Sequence, residues 1–595
     1  MFNLNISALK QAYKRHDITP KELILQLREQ AITQQDYNAW IHLLSEDELH
    51  TYLSFLDDKS IDDLPLYGVP FAIKDNIDLA GTPTTAACPD FAYTPNTHAF
   101  VVQQLLNAGA IPLGKTNLDQ FATGLVGMRS PYGEGKNAFN TDYVSGGSSA
   151  GSAVATALGQ VSFALGTDTA GSGRVPAALN NLIGHKPTKG LFSNTGLVPA
   201  CLSLDCITVF ALNTQDAALV TSVAAQYDHT DCYARKNKPH NLLRYFETKL
   251  PEHFTFGVPE TLEFHGNSET QVLFEKTIER LEGLGGKKIS IDFSPFIEAA
   301  KLLYEGPWVA ERWLATENVD RDAMLPVIRT IIDGAEGKTA ADAFRAQYKL
   351  QAYKKKCDDM VNSVDVMLTP TCPTQFTREE LREHPIQYNS ILGTYTNFMN
   401  LLDYTATNVP VGFTSNNVSW GVTLFSHAFS DIKLLSYSGA LHQTLNLPQG
   451  ATAYPLETSN ALSAPLADER VNVVVCGAHL SGFPLNWQLT ERGATLVKKT
   501  KSADKYQLYA LPDGKRPAML RDDTKGVAIE VEVWSMPTEH FGSFVACIPA
   551  PLGIGKVELA DGSWHCGFMS EGNVVEDAIN ISAFGGWQAY LASLN

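Results

Sequence analysis

The stretch Gly166-Thr167-Asp168-Thr169-Ala170-Gly171-Ser172-Gly173-Arg174-Val175-Pro176 decides how the rest of the chain is read, together with Ser145-Gly146-Gly147-Ser148-Ser149-Ala150-Gly151-Ser152 before it. Glycines let a backbone bend closely around a ligand and expose consecutive N–H groups. Ala150 to Ala164 is rich in small, helix-tolerant residues and a second helix is expected from Val175. Ser148 and Ser149 therefore lie near a helix start, where N–H groups lack partners. Neither run ends in the Gly-Lys-Ser/Thr that a phosphate loop requires. A hydroxyl is a poor nucleophile without a nearby base. Tyr67-Gly68-Val69-Pro70-Phe71-Ala72-Ile73-Lys74-Asp75 reads as a short strand that delivers Lys74 to its end. Burial there would lower the lysine pKa and make it such a base. Taken singly, a solvated lysine and two tight loops account for the same letters, and the runs alone name no reaction.

Working outward, residues 5–54 read as mostly helical in more than one piece, with Thr19-Pro20-Lys21-Glu22 supplying an N-cap, a first-turn proline and a capping acid. A helix is expected around 98–108, a strand around 110–113, and a strand-helix-strand unit over 254–301. The run 296–316 is helical in pattern, and Pro307 predicts a kink or an early end. This alternation predicts an α/β core whose sheet is sandwiched by helices. After Pro448 the character changes. Residues 449–470, rich in Gly, Ala, Thr, Ser and Pro, read as a linker between a first domain at 1–448 and a second at 471–595. Segments at 471–475, 495–497, 506–511, 526–534 and 554–559 make the second domain mostly β with some helix.

At 595 residues the chain exceeds what usually stays one domain. A formal charge of -18 against 46 Lys plus Arg argues against wrapping nucleic acid or resting on an anionic membrane. A small-molecule role fits better. Nine irregularly spaced Cys make no disulfide framework, and Cys201 and Cys206 lack a C-x-x-C spacing, which predicts a reduced cytoplasmic setting. The opening Met1-Phe2-Asn3-Leu4 has no secretory pattern. His16, His98, His185 and His240 form no dense ligand motif, so neither a metal nor an organic cofactor is expected.

The order and form of the three motifs resemble the amidase signature family over residues 25 to 445, including Asn408-Val409-Pro410-Val411-Gly412 and Trp420-Gly421-Val422-Thr423-Leu424. The resemblance implies a mixed central sheet covered by helices. It makes Lys74 the general base, Ser148 the bridging serine after a cis peptide bond, and Ser172 the nucleophile. Thr169, Ala170 and Gly171 would present the oxyanion-binding N–H groups, with Asp168 and Arg174 holding the loop. Ala170-Gly171 replaces the two glycines of many relatives, a small departure because the donors are backbone groups.

The whole chain, including Gly477-Ala478-His479-Leu480-Ser481-Gly482 and Pro484-Leu485-Asn486, resembles the allophanate-cleaving branch of that family. There a smaller γ-glutamylcyclotransferase-like domain follows the amidase domain. The segment Tyr304 to Arg312 resembles the carboxylate-binding part of that branch, placing Tyr304 and Arg312 on the substrate and Gly124 in the substrate wall formed by Gln120 to Pro131. An arginine fork suits a planar carboxylate. For breakdown of the deaminated product in the second domain, His479 and His565 are candidates, with Glu532 and Glu571 as further partners. The resemblance also implies a homodimer and a pathway link to a biotin-dependent urea carboxylase. The alternatives are an amidase of broader specificity, one component of an amidotransferase, and a non-catalytic scaffold.

Overall fold

One mixed sheet organises the first part of the chain. Its strands are β1 (Trp40–Leu43), β2 (Pro70–Lys74), β3 (Ile111–Thr116), β4 (Phe163–Asp168), β5 (Ile183–Lys186), β6 (Cys206–Ala211), β7 (Phe254–Pro259), β8 (Gly286–Ile291), β9 (Val366–Pro370), β10 (Tyr404–Phe413) and β11 (Ser419–His427). Across the sheet the order is β1-β3-β2-β4-β6-β5-β10-β11-β9-β7-β8. The computed structural model describes residues 2–247, 250–456 and 470–594. β2 runs parallel to both β3 and β4, whereas β4 meets β6 antiparallel. Every residue of β2 and β4 is buried. Strands covered on both faces carry continuous apolar runs rather than alternation, and here Phe71 stacks on Phe163 with ring centroids 5.3 Å apart. Burying each such ring stabilises the fold by roughly 2–3 kcal/mol.

The N-terminal segment forms helices Ile6–Lys14, Pro20–Thr33 and Glu46–Leu53, and the second starts on the Thr19/Glu22 capping box read from the sequence. The helical reading misses β1, which pairs antiparallel with β3 at the sheet edge. The small-residue helix starts at Ala150 and stops at Ala157 instead of running to Ala164. Gly159, at φ +66°, turns the chain, and Phe163 and Ala164 belong to β4. Pro307 falls in a break between helices Ser294–Tyr304 and Val309–Ala315.

The described residues form two compact units, one preceding residue 457 (apart from 238–240) and one from residue 470 on. The stretch read as a linker begins as packed chain: Asn181 Nδ2 donates to the Pro448 and Gly450 carbonyls at 2.8 and 2.9 Å, and the Ala451 N–H donates to Ala157 O at 2.7 Å. Its remainder, 457–469, lies outside the described residues. The second unit holds β12 (Arg470–Val475), β13 (Thr495–Lys501), β14 (Tyr506–Ala510), β15 (Pro517–Arg521), β16 (Glu530–Pro537), β17 (Leu552–Glu558), β18 (Trp564–Ser570) and β19 (Ile579–Asn580). They form sheets ordered β13-β16-β12-β18-β17 and β15-β14-β19. The sequence reading misses β15, β18 and β19. Among the described residues no helix is long and apolar enough to cross a membrane.

Candidate active site

Parallel neighbours in a sheet end at the same edge, and loops that leave that edge meet there. β2 and β4 are such neighbours, with Ile73 opposite Leu165. Lys74 closes β2, and the loop carrying Ser172 leaves β4. Ser148 is brought alongside by the turn before helix Ala150–Ala157, which is stitched to β4 by side chains. Ser149 Oγ donates to Thr167 O at 3.1 Å, and Ser152 Oγ to Leu165 O at 2.9 Å. Lys74 Nζ consequently lies 2.8 Å from Ser148 Oγ and 2.6 Å from Thr167 Oγ1. The Gly147–Ser148 peptide is cis. Complete burial drives the Lys74 pKa down to about 7, although the carboxylates of Asp119, Asp205 and Asp168 pull the other way. An amine in that range is substantially neutral at pH 7 and able to accept a proton.

The loop after β4 is fixed by a buried ion pair. Arg174 Nε and Nη2 donate to the two oxygens of Asp168 at 2.9 and 3.0 Å, and both side chains are inaccessible to solvent. Deleting either partner would strand a buried charge, which costs roughly 3–5 kcal/mol. The same carboxylate accepts the Gly171 N–H at 2.8 Å and the Gly173 N–H at 3.1 Å. Of the three amides expected to face an oxyanion, the one at Gly171 is therefore already engaged. The N–H groups of Thr169, Ala170 and Ser172 have no partner among the described residues. Gly171 has φ +132°, and a Cβ there would run into Thr396, so the turn needs glycine. Ser172 Oγ donates to the Gly124 carbonyl at 3.3 Å; among the described residues no hydrogen bond joins it to Ser148.

Gly124 belongs to a wall that Asp119 shapes. The Asp119 carboxylate accepts the N–H groups of Val126, Gly127 and Arg129 at 3.2, 3.0 and 2.9 Å. Against this wall stands Arg312, only 3% exposed. Its Nη1 donates to Thr123 Oγ1 at 2.8 Å and its Nη2 to Tyr304 Oη at 3.3 Å. The two side chains meet across the break at Pro307 between their helices. No carboxylate forms an ion pair with Arg312 among the described residues.

Three residues here carry no signal in the sequence. Asp205 accepts the Thr169 hydroxyl and the N–H groups of Ala200 and Cys201. Burial raises its pKa to about 6 despite those donors. Thr396 Oγ1 donates to Ala170 O at 2.7 Å, and Asn400 Nδ2 to Asp168 O at 2.7 Å. No motif marks these positions; only the sheet order brings them beside the loop.

In the second unit the candidates lie apart. His479, buried, faces Gln488 Oε1 at 2.9 Å and stacks on Phe568 with centroids 4.9 Å apart. It lines a cavity of about 60 Å³ together with Gly477, Gln488, Arg516 and Cys547. Burial lowers its pKa, leaving the ring neutral near pH 7. His565 lies on β18 three residues before Phe568, hence on the opposite face of the strand, and its Nε2 is 3.2 Å from Ser563 Oγ. Glu532 is occupied by Ser481, Trp534 and Lys499. Glu571 is exposed.

Residues 22–435 match the family model described as Amidase. The chain belongs to the amidase family. Residues 471–592 match the model described as the allophanate hydrolase C-terminal domain. The urea amidolyase of Saccharomyces cerevisiae is 44% identical over 97% of this chain, but the chain spans only 33% of that protein. The solved allophanate hydrolase of Kluyveromyces lactis is 42% identical, covers 99% of each chain and has a TM-score of 0.76. A glutamyl-tRNA(Gln) amidotransferase component of Halothermothrix orenii is 31% identical over 75% of this chain and 98% of its own length. The chain thus has an α/β amidase-family unit followed in the chain by a smaller β-rich unit.

Proposed function

We propose that the chain hydrolyses allophanate, using Ser172 as nucleophile, Ser148 as proton bridge and Lys74 as base. The observation that carries the substrate assignment is Arg312, a buried guanidinium whose side-chain partners are hydroxyls rather than a carboxylate. A buried unpaired charge is costly, and a substrate carboxylate would offset that cost. Allophanate is urea with a carboxylate on one nitrogen, so it brings that group together with a cleavable amide.

The neutral Lys74 amine accepts the Ser148 proton across 2.8 Å while keeping an N–H for Thr167. Ser148 in turn takes the proton of Ser172, once the Ser172 hydroxyl has rotated away from Gly124 O. Ser172 Oγ adds to the terminal amide carbon, and the resulting oxyanion is met by the Thr169, Ala170 and Ser172 amides. One good donor of this kind is worth about 3 kcal/mol in barrier height. The proton returns along the relay to the leaving nitrogen, ammonia departs, and water hydrolyses the acyl-enzyme through the same relay. The product is N-carboxycarbamate, whose decarboxylation leads to carbon dioxide and a second ammonia; His479 in its small cavity is the group we assign to that step. His565, on the other face of β18, becomes the weaker candidate.

Residues 1–448 carry the amidase chemistry in this reading, 471–595 the later step, and 449–470 connect them. A biotin-dependent urea carboxylase supplies the allophanate, and the chain works as a cytoplasmic homodimer. The full chain should release ammonia from allophanate without any partner protein and should turn over biuret, which carries an amide where allophanate has its carboxylate, far more slowly. Equal turnover of the two would leave a broad-specificity amidase, and ammonia release only with an acceptor complex would leave one component of an amidotransferase.

A further inference from the structure

Two guanidinium groups flank Thr123. Arg312 Nη1 donates to its hydroxyl at 2.8 Å, and Arg129 Nη1 donates to its carbonyl at 3.0 Å. Arg129 is 4% exposed, and its Nη2 reaches the Pro385 carbonyl at 2.5 Å. Its Nε–H is buried and has no hydrogen-bond partner among the described residues. Among those residues no carboxylate forms an ion pair with this guanidinium either. Asp119, the acid of the same loop, is filled by three backbone amides, one of them that of Arg129 itself. Asp205 is filled by Thr169, Ala200 and Cys201.

The bland account makes Arg129 a staple that ties the wall loop to the chain near helix Gln387–Leu392. Its two hydrogen bonds to carbonyls would do that, and Leu125 N–H to Asn389 Oδ1 at 2.8 Å does the same work nearby. A staple, however, needs donors and no charge. A neutral side chain would serve without an idle buried N–H. The Asp119 carboxylate acts on Arg129 through its charge, but the buried Nε–H is left without an acceptor, which a substrate carboxylate would supply, and Arg312 holds the same relation to the hydroxyl of Thr123.

We propose that Arg129 is a specificity-determining residue, a second buried cation that acts with Arg312 across Thr123 to select amides bearing a carboxylate. The proposal rests on the allophanate reading and adds a residue to it. The test uses the full chain carrying Arg129→Gln or Arg129→Lys, with kcat and KM measured on allophanate and on biuret and folding checked by thermal unfolding. Arg129→Gln should raise KM for allophanate about tenfold, equivalent to about 1.4 kcal/mol, with kcat and both biuret constants within about twofold of the parent. Arg129→Lys, which keeps the charge and loses the fork, should fall between the two. If Arg129→Gln does not fold, the lysine variant decides: a KM rise confined to allophanate supports the proposal. Equal losses on both substrates would make Arg129 a staple and overturn it. A parent chain with no preference for allophanate would remove the underlying reading as well, whereas a preference left intact in Arg129→Gln removes this proposal alone.

Discussion

Around Lys74 the buried polar groups converge, with the amine 2.8 Å from Ser148 and 2.6 Å from Thr167, and Ser149 tied back to Thr167. Around His479 they disperse: His479 faces Gln488, His565 faces Ser563 across the strand, and Glu532 is held by Ser481, Trp534 and Lys499. The difference follows from how strands deliver side chains. β2 and β4 are parallel neighbours, so their ends and the loops beyond them gather at one edge. His565 and Phe568 share a single strand three residues apart, and the pleat sends them to opposite faces. The first unit therefore gathers a chain of hydrogen-bonded buried groups at one edge, while the second offers a single histidine in a small cavity.

The hardest way to break that comparison is to remove the hydroxyl we propose as nucleophile. Ser172→Ala should lower ammonia release from allophanate by about four orders of magnitude or more, measured with a coupled ammonia assay, and full activity in that variant would end the relay. Next in size, Arg312→Gln should raise KM for allophanate by roughly a hundredfold, because it removes one partner of a buried charge pair, and should change biuret turnover little. A milder probe is pH. The relay needs Lys74 neutral, and its pKa is lowered to about 7, so activity is present above pH 7 and falls about tenfold per unit below it. Asp205 raises that pKa through its charge; Asp205→Asn should move the break to lower pH, and a break that stays in place would assign the profile to another group.

How far the sequence carries depends on whether a feature is local. Lys74 at a strand end, Ser148 at a helix start and the Thr19/Glu22 cap are set by a few adjacent residues, and the structure has each element where the letters put it. Asp205, Thr396 and Asn400 reach the loop after β4 through the order β4-β6-β5-β10 and the chain before β10, which no local pattern encodes. Phe121 and Ala122 sit in the wall loop at φ +50° and +51°. Neither residue type signals a left-handed conformation, which tertiary packing imposes against intrinsic preference. The misread end of the small-residue helix has the same origin: small residues tolerate a helix as far as Ala164, yet Gly159 and the demand for β4 end it at Ala157.

The smallest expected effect tests the second unit on its own terms. Burial keeps the His479 ring neutral near pH 7, and Nε2 lies 2.9 Å from the Gln488 amide oxygen, a contact made by the tautomer with the proton on Nε2. Nδ1 is then the lone-pair nitrogen available to a reaction in the cavity. His479→Asn retains a polar side chain and removes the basic ring nitrogen. The first ammonia should then leave allophanate at a rate within about twofold of the parent, since the Lys74 relay is untouched. The second ammonia and the carbon dioxide should lag behind it, which following both gases over one time course would resolve. If both phases slow together, the two units are not independent and the assignment of separate steps to them fails. If neither phase slows, the later decarboxylation proceeds without His479, and the cavity has some other use.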